Sequence, residues 1–227
     1  MKTLGIVIPA YKKPKSLNRL LVSINKHTSR DLTDVIVVFD DGTNPDDITL
    51  PYEWVKKATT GKVGGGAIGA IWQGIKELDC MAVGVLGDDT ELITPRSDEI
   101  ITTYALNNPD SVFGLNDGIQ NGRAHPFMSK ILWVSGGGLP TCYAHSFGDT
   151  EIYKINRHHG KWVHIKECNI LHHHPYSQKR GIVVEILEET RAACKRASRN
   201  DGNLHKRRME WWENNCRPRM IPWEVGI

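Results

Sequence analysis

No stretch of the chain approaches the roughly 20 consecutive apolar residues that a membrane-crossing helix needs, which argues against an integral membrane protein. A charged-then-apolar leader is also missing ahead of the first apolar segment at Leu4, so the expectation is a cytoplasmic protein. Cysteine is sparse: Cys80, Cys142, Cys168, Cys194 and Cys216 are odd in number, scattered and never at CxxC spacing. That pattern speaks against a disulfide framework or a zinc ribbon and leaves reduced, structural thiols. Internal repeats and low-complexity segments are absent. A net charge of +3 is too small to mark a nucleic-acid-binding protein by itself.

What is present suits one core with a tail. With 227 residues, 40% of them hydrophobic, the chain has little room for a second independent domain. Leu4-Gly5-Ile6-Val7-Ile8, closed by Pro9, reads as a strand buried on both faces. Leu17, Leu20, Leu21 and Ile24 then recur at helical spacing, with Ser16 as N-cap. Val35-Ile36-Val37-Val38-Phe39 is β-branched and ends in the turn cluster Asp40-Asp41-Gly42-Thr43. Gly64-Gly65-Gly66 precedes a helical run through Leu78, and Met81–Leu86 is a further buried strand ending in Gly87-Asp88-Asp89-Thr90. Strands alternating with helices imply right-handed crossovers and a largely parallel α/β sheet, with ligands beyond the carboxyl ends of the strands.

The second half is less regular. Strands are expected at Ser111–Leu115, Lys130–Val134, Trp162–Ile165 and Cys168–Leu171, a flexible loop at Ser135–Pro140, and a helix from about Gly148. Beyond Gly181, Glu185, Glu188 and Glu189 precede Arg191, Lys195 and Arg196, an order that suits a helix dipole.

Several polar groups fall where chemistry would need them. Asp88-Asp89 at a strand end offers hard oxygen ligands for a divalent cation, although an Asp-rich turn that merely ends a strand is an equally local explanation. Asp40 and Asp88/Asp89 end two strands that would converge on one cleft. In His172-His173-His174-Pro175 the strand alternation puts His172 and His174 on one face, where either could complete a metal site with Asp89, and turns His173 away. Asp149 and Glu151, in Gly148-Asp149-Thr150-Glu151, are candidate general bases, or simply first-turn acids of a helix.

Taken in order, these segments resemble the family 2 glycosyltransferases. The resemblance spans roughly residues 4 to 176: Ile6-Val7-Ile8-Pro9-Ala10-Tyr11, Val38-Phe39-Asp40-Asp41-Gly42-Thr43, the Gly66-Ala67-Ile68-Gly69-Ala70 helix start, Leu86-Gly87-Asp88-Asp89-Thr90 like the metal-binding DxD, Gly148-Asp149-Thr150-Glu151 like the ED element, and His172-His173-His174-Pro175 like the late histidine. It implies a GT-A (Rossmann-like) fold: a mixed, mostly parallel sheet flanked by helices, with a helical C-terminal tail. Residues 1–178 would form the catalytic domain (1–105 the nucleotide-sugar half, 106–178 the acceptor half) and 179–227 a basic tail.

The resemblance further implies an inverting enzyme that moves a sugar from a nucleotide diphosphate donor, a UDP-sugar, to a hydroxyl. Pro9, Ala10, Tyr11, Asp40, Gly66 and Asp88 would bind the donor, with Asp40 accepting from a uracil-like N–H. Asp89 with His172 or His174 would hold Mn²⁺ or Mg²⁺, and Asp149 would be the base. Three departures stand out. Gly87 replaces the first acid of a full DxD, Gly148 stands in place of a Glu, and Trp72-Gln73 occupy the place of an Arg-Asn pair. Lys12 or Lys62 could supply the missing positive charge.

The tail clusters Lys195, Arg196, Arg199, Lys206, Arg207, Arg208, Arg217 and Arg219 with Trp211, Trp212 and Trp223. Basic and stacking groups together suit DNA, and the compact chain is similar to bacteriophage enzymes of this type, which implies a hydroxymethylated pyrimidine in phage DNA as acceptor and the host cytoplasm as location. The alternative is an amphipathic helix whose tryptophans dock on the domain, with a saccharide or protein hydroxyl as acceptor. A nucleotidyltransferase would need a basic Gly-rich loop where Pro9-Ala10-Tyr11 stands, and a non-catalytic nucleic-acid-binding protein would leave Asp40, Asp89, Asp149 and the histidines without a role.

Overall fold

Strand β1 (Lys2–Ala10) runs parallel to β2 (Thr33–Phe39) on one side and β4 (Cys80–Val85) on the other, with Ile8 opposite Val37 and Val7 opposite Val85. Its side chains alternate into two cores. Leu4, Ile6 and Ile8 pack with Leu17, Leu20, Leu21 and Ile24 of α1 (Pro14–His27) and with Ile101 and Ala105 of α3 (Ser97–Asn107). Val7, with Ile36 and Val38 of β2, packs on the opposite face against Ile68, Ile71 and Ile75 of α2 (Gly66–Glu77). Each such side chain buried completely contributes about 1.5–3 kcal/mol, which is why these strands are apolar at almost every position.

The computed structural model describes residues 2–11, 13–40, 44–60, 66–118, 122–144, 147–173 and 188–219, with backbone alone for 188–198. The remaining elements are β3 (Lys56–Thr59), β5 (Thr90–Leu92), β6 (Val112–Asn116), β7 (Pro126–Ser129), α4 (Lys130–Leu132), α5 (Gly148–His158), β8 (Trp162–His172) and α6 (Glu188–Asn214). The strands form one mixed sheet in the order β3-β2-β1-β4-β7-β6-β8-β5, parallel from β3 through β4 and again at β6-β8, antiparallel elsewhere. Helices cover both faces, a Rossmann-like α/β architecture as expected. Among the described residues no helix is long and apolar enough to cross a membrane.

Some elements differ from expectation. Helix α1 begins at Pro14 rather than beyond a Ser16 cap, with Lys13 at the cap position, because proline's fixed φ and missing N–H suit the first helical position. Residues 130–134 are not a strand. The strand is Pro126–Ser129, and Lys130–Leu132 continues as α4 into a π-helical turn, Trp133–Gly137. Trp133 is buried, its indole N–H donating to Val83 O (2.8 Å), while Ile131 and Val134 stay exposed, a helical partition of the apolar run. Trp162–Leu171 forms one strand instead of two, broken by a jump in register from Leu115–Ile165 to Asn116–Asn169. Cys80, Cys142, Cys168 and Cys216 are free thiols, and burial pushes Cys80 and Cys168 up to about 11; the Cys194 side chain lies outside the described residues.

Candidate active site

Because β1, β2 and β4 are parallel neighbours, their carboxyl ends lie side by side. Asp40, the residue after β2, is buried, and its backbone N–H donates to Ala10 O at the end of β1 (3.3 Å). Across β1, the Tyr11 backbone N–H donates to the Asp88 carboxylate beyond β4, and Lys13 Nζ stands 3.7 Å from Asp88 Oδ1. Burial pushes the Asp88 carboxyl up to about 6, with Lys13 opposing the rise and Asp89 adding to it. Pro9, Ala10, Tyr11, Asp40 and Asp88 therefore share one corner.

Asp89 is placed by a tight turn and a strand pair. Thr90 N and Oγ1 both donate to Gly87 O (3.1 and 2.8 Å), and β5 then runs antiparallel to the end of β8 with Thr90 opposite His172. The His173 N–H closes the ladder on Asp89 O (2.7 Å). This rung sets His172 Nε2 3.6 Å from Asp89 Oδ1. Burial acts to raise the Asp89 carboxyl, but His172, then Lys13 and His125, outweigh it and hold it well below the usual carboxylate range. A Cβ at Gly87 would stand 2.7 Å from Asp89 Oδ1, so a side chain there would crowd the Asp89 carboxylate.

As the alternation requires, His173 points away from His172. Its Nε2 lies 2.7 Å from Glu91 Oε1, an oxygen also bound by Arg19 Nε at 2.8 Å. His174, Lys12, Asp41, Gly42, Thr43, Lys62, Gly64, Gly65, Pro175 and Trp223 lie outside the described residues.

Asp149 sits in the first turn of α5, its carboxyl raised by burial, with Thr150 and the charge of Arg123 opposing. The structure joins it to the start of α2: a Cβ on Gly148 would be 3.3 Å from Ile68 Cδ1, and Gly66, with φ 77°, abuts Ala144, whose carbonyl oxygen would be 2.0 Å from a Cβ there. Only glycine is accommodated at position 66. Phe147, just ahead of α5, has φ 70°, a left-handed conformation that costs a bulky residue about 1–3 kcal/mol.

Glu151 is different. Its carboxylate is buried, accepts from Arg208 Nε and Nη2 (2.9 and 2.8 Å) and from Tyr143 Oη (2.5 Å), and is therefore a structural anchor rather than a reserve base. By the same observation Arg208 is withdrawn from any DNA contact. Trp212 is buried with Ile155 and Met209 and donates to Pro218 O (2.6 Å), so it anchors the tail instead of stacking on a base; Trp211 packs at the edge of the same cluster. Trp72 donates to Leu139 O (2.8 Å) and meets Trp133 edge-on in the second core.

The fold has a solved counterpart. The chain shares its fold with S. aureus TarS. Against TarS the TM-score is 0.52 at 14% identity over 66% of this chain; against TarS 1–349 it is 0.55 at 13% over 73%, and against TarS 1–349 in complex with UDP it is 0.56 at 13% over 73%. The chain spans 32% of the full TarS chain and 59% of the 1–349 chain. No family model and no curated protein matches it.

Sequence reasoning missed Lys13, Arg123 and His125. His125 is buried, accepts from Gly87 N–H at Nδ1 (3.4 Å) and meets the His172 ring edge-on with centroids 4.8 Å apart. Arg123 and His125 occupy one turn, the first acting on Asp149 and the second on the Asp89 corner. The only local signal was a histidine next to the Pro126 that opens β7.

Proposed function

We propose that this protein is an inverting glycosyltransferase that moves a sugar from a UDP-sugar to a hydroxyl acceptor. The observation that carries this is the convergence of Asp40, Asp88, Asp89 and His172 at the carboxyl ends of parallel strands, on a fold that holds UDP in TarS. Asp40 and the Pro9-Ala10-Tyr11 backbone receive the nucleoside, and Gly66 lets the start of α2 approach the donor.

Asp89 and His172 fit a divalent ion, Mn²⁺ or Mg²⁺. Ligand atoms each about 2.1 Å from one ion lie about 3.0–3.6 Å apart, and these two are 3.6 Å apart. Among the described residues no group of three or more His, Cys, Asp or Glu forms a ligand set, so the donor diphosphate would complete the coordination. Bound there, the ion offsets charge on the leaving diphosphate. Asp149 takes the acceptor hydroxyl proton as that oxygen bonds to the anomeric carbon and the bond to the diphosphate oxygen breaks. A carboxyl raised by burial is suited to that base role. The test is release of UDP from a panel of nucleotide sugars with and without Mn²⁺. No release with any donor, alongside pyrophosphate release from nucleoside triphosphates, would favour nucleotidyl transfer instead.

A hydroxymethylated pyrimidine in DNA is the second reading for the acceptor, favoured by the exposed Arg199, Lys206 and Arg207 on α6. A saccharide or protein hydroxyl needs none of them. Transfer to such a small acceptor at a rate unaffected by salt would exclude DNA.

A further inference from the structure

We infer that α6 is a working part of the candidate active site, with Arg208 and Asp201 as positioning residues that aim Asp149; this rests on the assignment of Asp149 as the base. The contacts between α5 and α6 change character along their length. At one end they are apolar: Ile155 packs with Met209 and Trp212, and His158 meets the Trp212 ring edge-on. At the other end, two residues beyond Asp149, they become the buried pair Glu151–Arg208, both groups almost fully enclosed. Docking alone does not call for this change, because a buried ion pair adds little net stability over apolar side chains of similar volume. What it adds is direction. Arg208 grips both carboxylate oxygens, and Tyr143 donates to one of them, so the first turn of α5 is held in a single orientation.

Three more α6 residues reach the chain just ahead of α5. The Asp201 carboxylate accepts from Ala144 N–H (3.1 Å). His205 stacks on Phe147 with centroids 5.2 Å apart and planes at 23°, and its Nδ1 lies 3.2 Å from Tyr143 Oη. The α6 backbone at Gly202 also runs close to the Phe147 ring, where a Cβ would be in van der Waals contact at 3.4 Å. Phe147 keeps its left-handed backbone within this setting. Ala144, held by Asp201 on one side, presses its carbonyl against Gly66 on the other. One helix thus braces both the turn that carries Asp149 and the contact between that turn and the donor-side helix α2.

The test replaces the ion pair by apolar side chains of similar length, Glu151→Met with Arg208→Met, and separately removes the Ala144 acceptor with Asp201→Ala. UDP release from UDP-glucose, or from the panel donor turned over fastest, is measured with Mn²⁺, together with UDP affinity, melting temperature and hydrogen exchange. The expected result for the double variant is a melting temperature at or above that of the wild type, donor KM and UDP affinity within about twofold, and kcat at least tenfold lower. Amide exchange at Tyr143, Ala144 and the first turn of α5 should be at least tenfold faster. Asp201→Ala should change kcat and exchange in the same direction by less. A folded double variant with wild-type kcat and exchange overturns the positioning role. Should that variant unfold, unchanged kcat and Ala144 exchange in Asp201→Ala overturns it equally. A wild type that releases no UDP from any donor sinks the glycosyl-transfer reading, whereas a working wild type matched by the double variant sinks the positioning role alone.

Discussion

Two carboxylate centres in this protein use similar chemistry to opposite ends. At Glu151, guanidinium and phenol contacts of 2.5–2.9 Å close the carboxylate off, with 2% of the side chain exposed. At Asp88 and Asp89 the nearest side-chain partners, Lys13 and His172, stand 3.7 and 3.6 Å away, and 23% of the Asp89 side chain meets solvent. The first arrangement holds a helix, and the second leaves a more exposed corner at the strand ends. Equal acidity in the sequence is therefore no guide to role; completeness of the local partners is.

The sharpest way to break the comparison is at Asp149, which belongs to neither centre. Asp149→Asn should lower transfer about 10²–10⁴-fold while leaving UDP and Mn²⁺ binding unchanged; near-normal turnover would move the base elsewhere, and not to Glu151. Next in size is Arg208→Ala, which strands a buried carboxylate and should cost about 3–5 kcal/mol in denaturant unfolding. A loss below about 1 kcal/mol would mean that water reaches Glu151. Asp89→Ala should behave in the opposite way, changing stability by less than about 1 kcal/mol yet abolishing the Mn²⁺ dependence of UDP binding in calorimetry. Unchanged Mn²⁺ dependence in that folded variant would remove the metal assignment. Within the same corner, His172→Ala should weaken Mn²⁺ affinity more than about tenfold, whereas His173→Ala, on the opposite strand face, should change it only a few-fold. Equal effects would point to disruption of the strand end. The smallest effect concerns the tail: if the acceptor is DNA, Lys206→Ala with Arg207→Ala should flatten the salt dependence of acceptor binding by a log–log slope of about 2 and leave donor binding alone.

The parallel half of the fold was legible because strands buried on both faces must be apolar throughout, and their ends must then carry the polar residues. Asp40, Asp88 and Asp89 could be found that way, and β alternation correctly separated His172 from His173. The run Ile131–Val134 was misread because four apolar residues fit either period, and the burial of Trp133 under β4 decided for a helical turn. Lys13, Arg123 and His125 act through contacts that no local pattern announces. Arg208 lies 57 residues from Glu151, and its basic neighbours made it look like part of a solvated stripe. Only the packing of α6 on α5 distinguishes a buried arginine from the exposed ones on either side.

The pairing of β5 with the end of β8 has a kinetic corollary. Glu91 and His173 are 82 residues apart in sequence, so the rung that brings Asp89 to His172 closes one of the long loops of the chain, an entropic step that tends to come late in folding. Helices and the β1-β2 pairing, in which Leu4 lies opposite Thr33, form over shorter separations and should be in place first. During refolding, far-ultraviolet ellipticity should therefore recover ahead of Mn²⁺ affinity, making metal capture a clock hand for the last strand to dock.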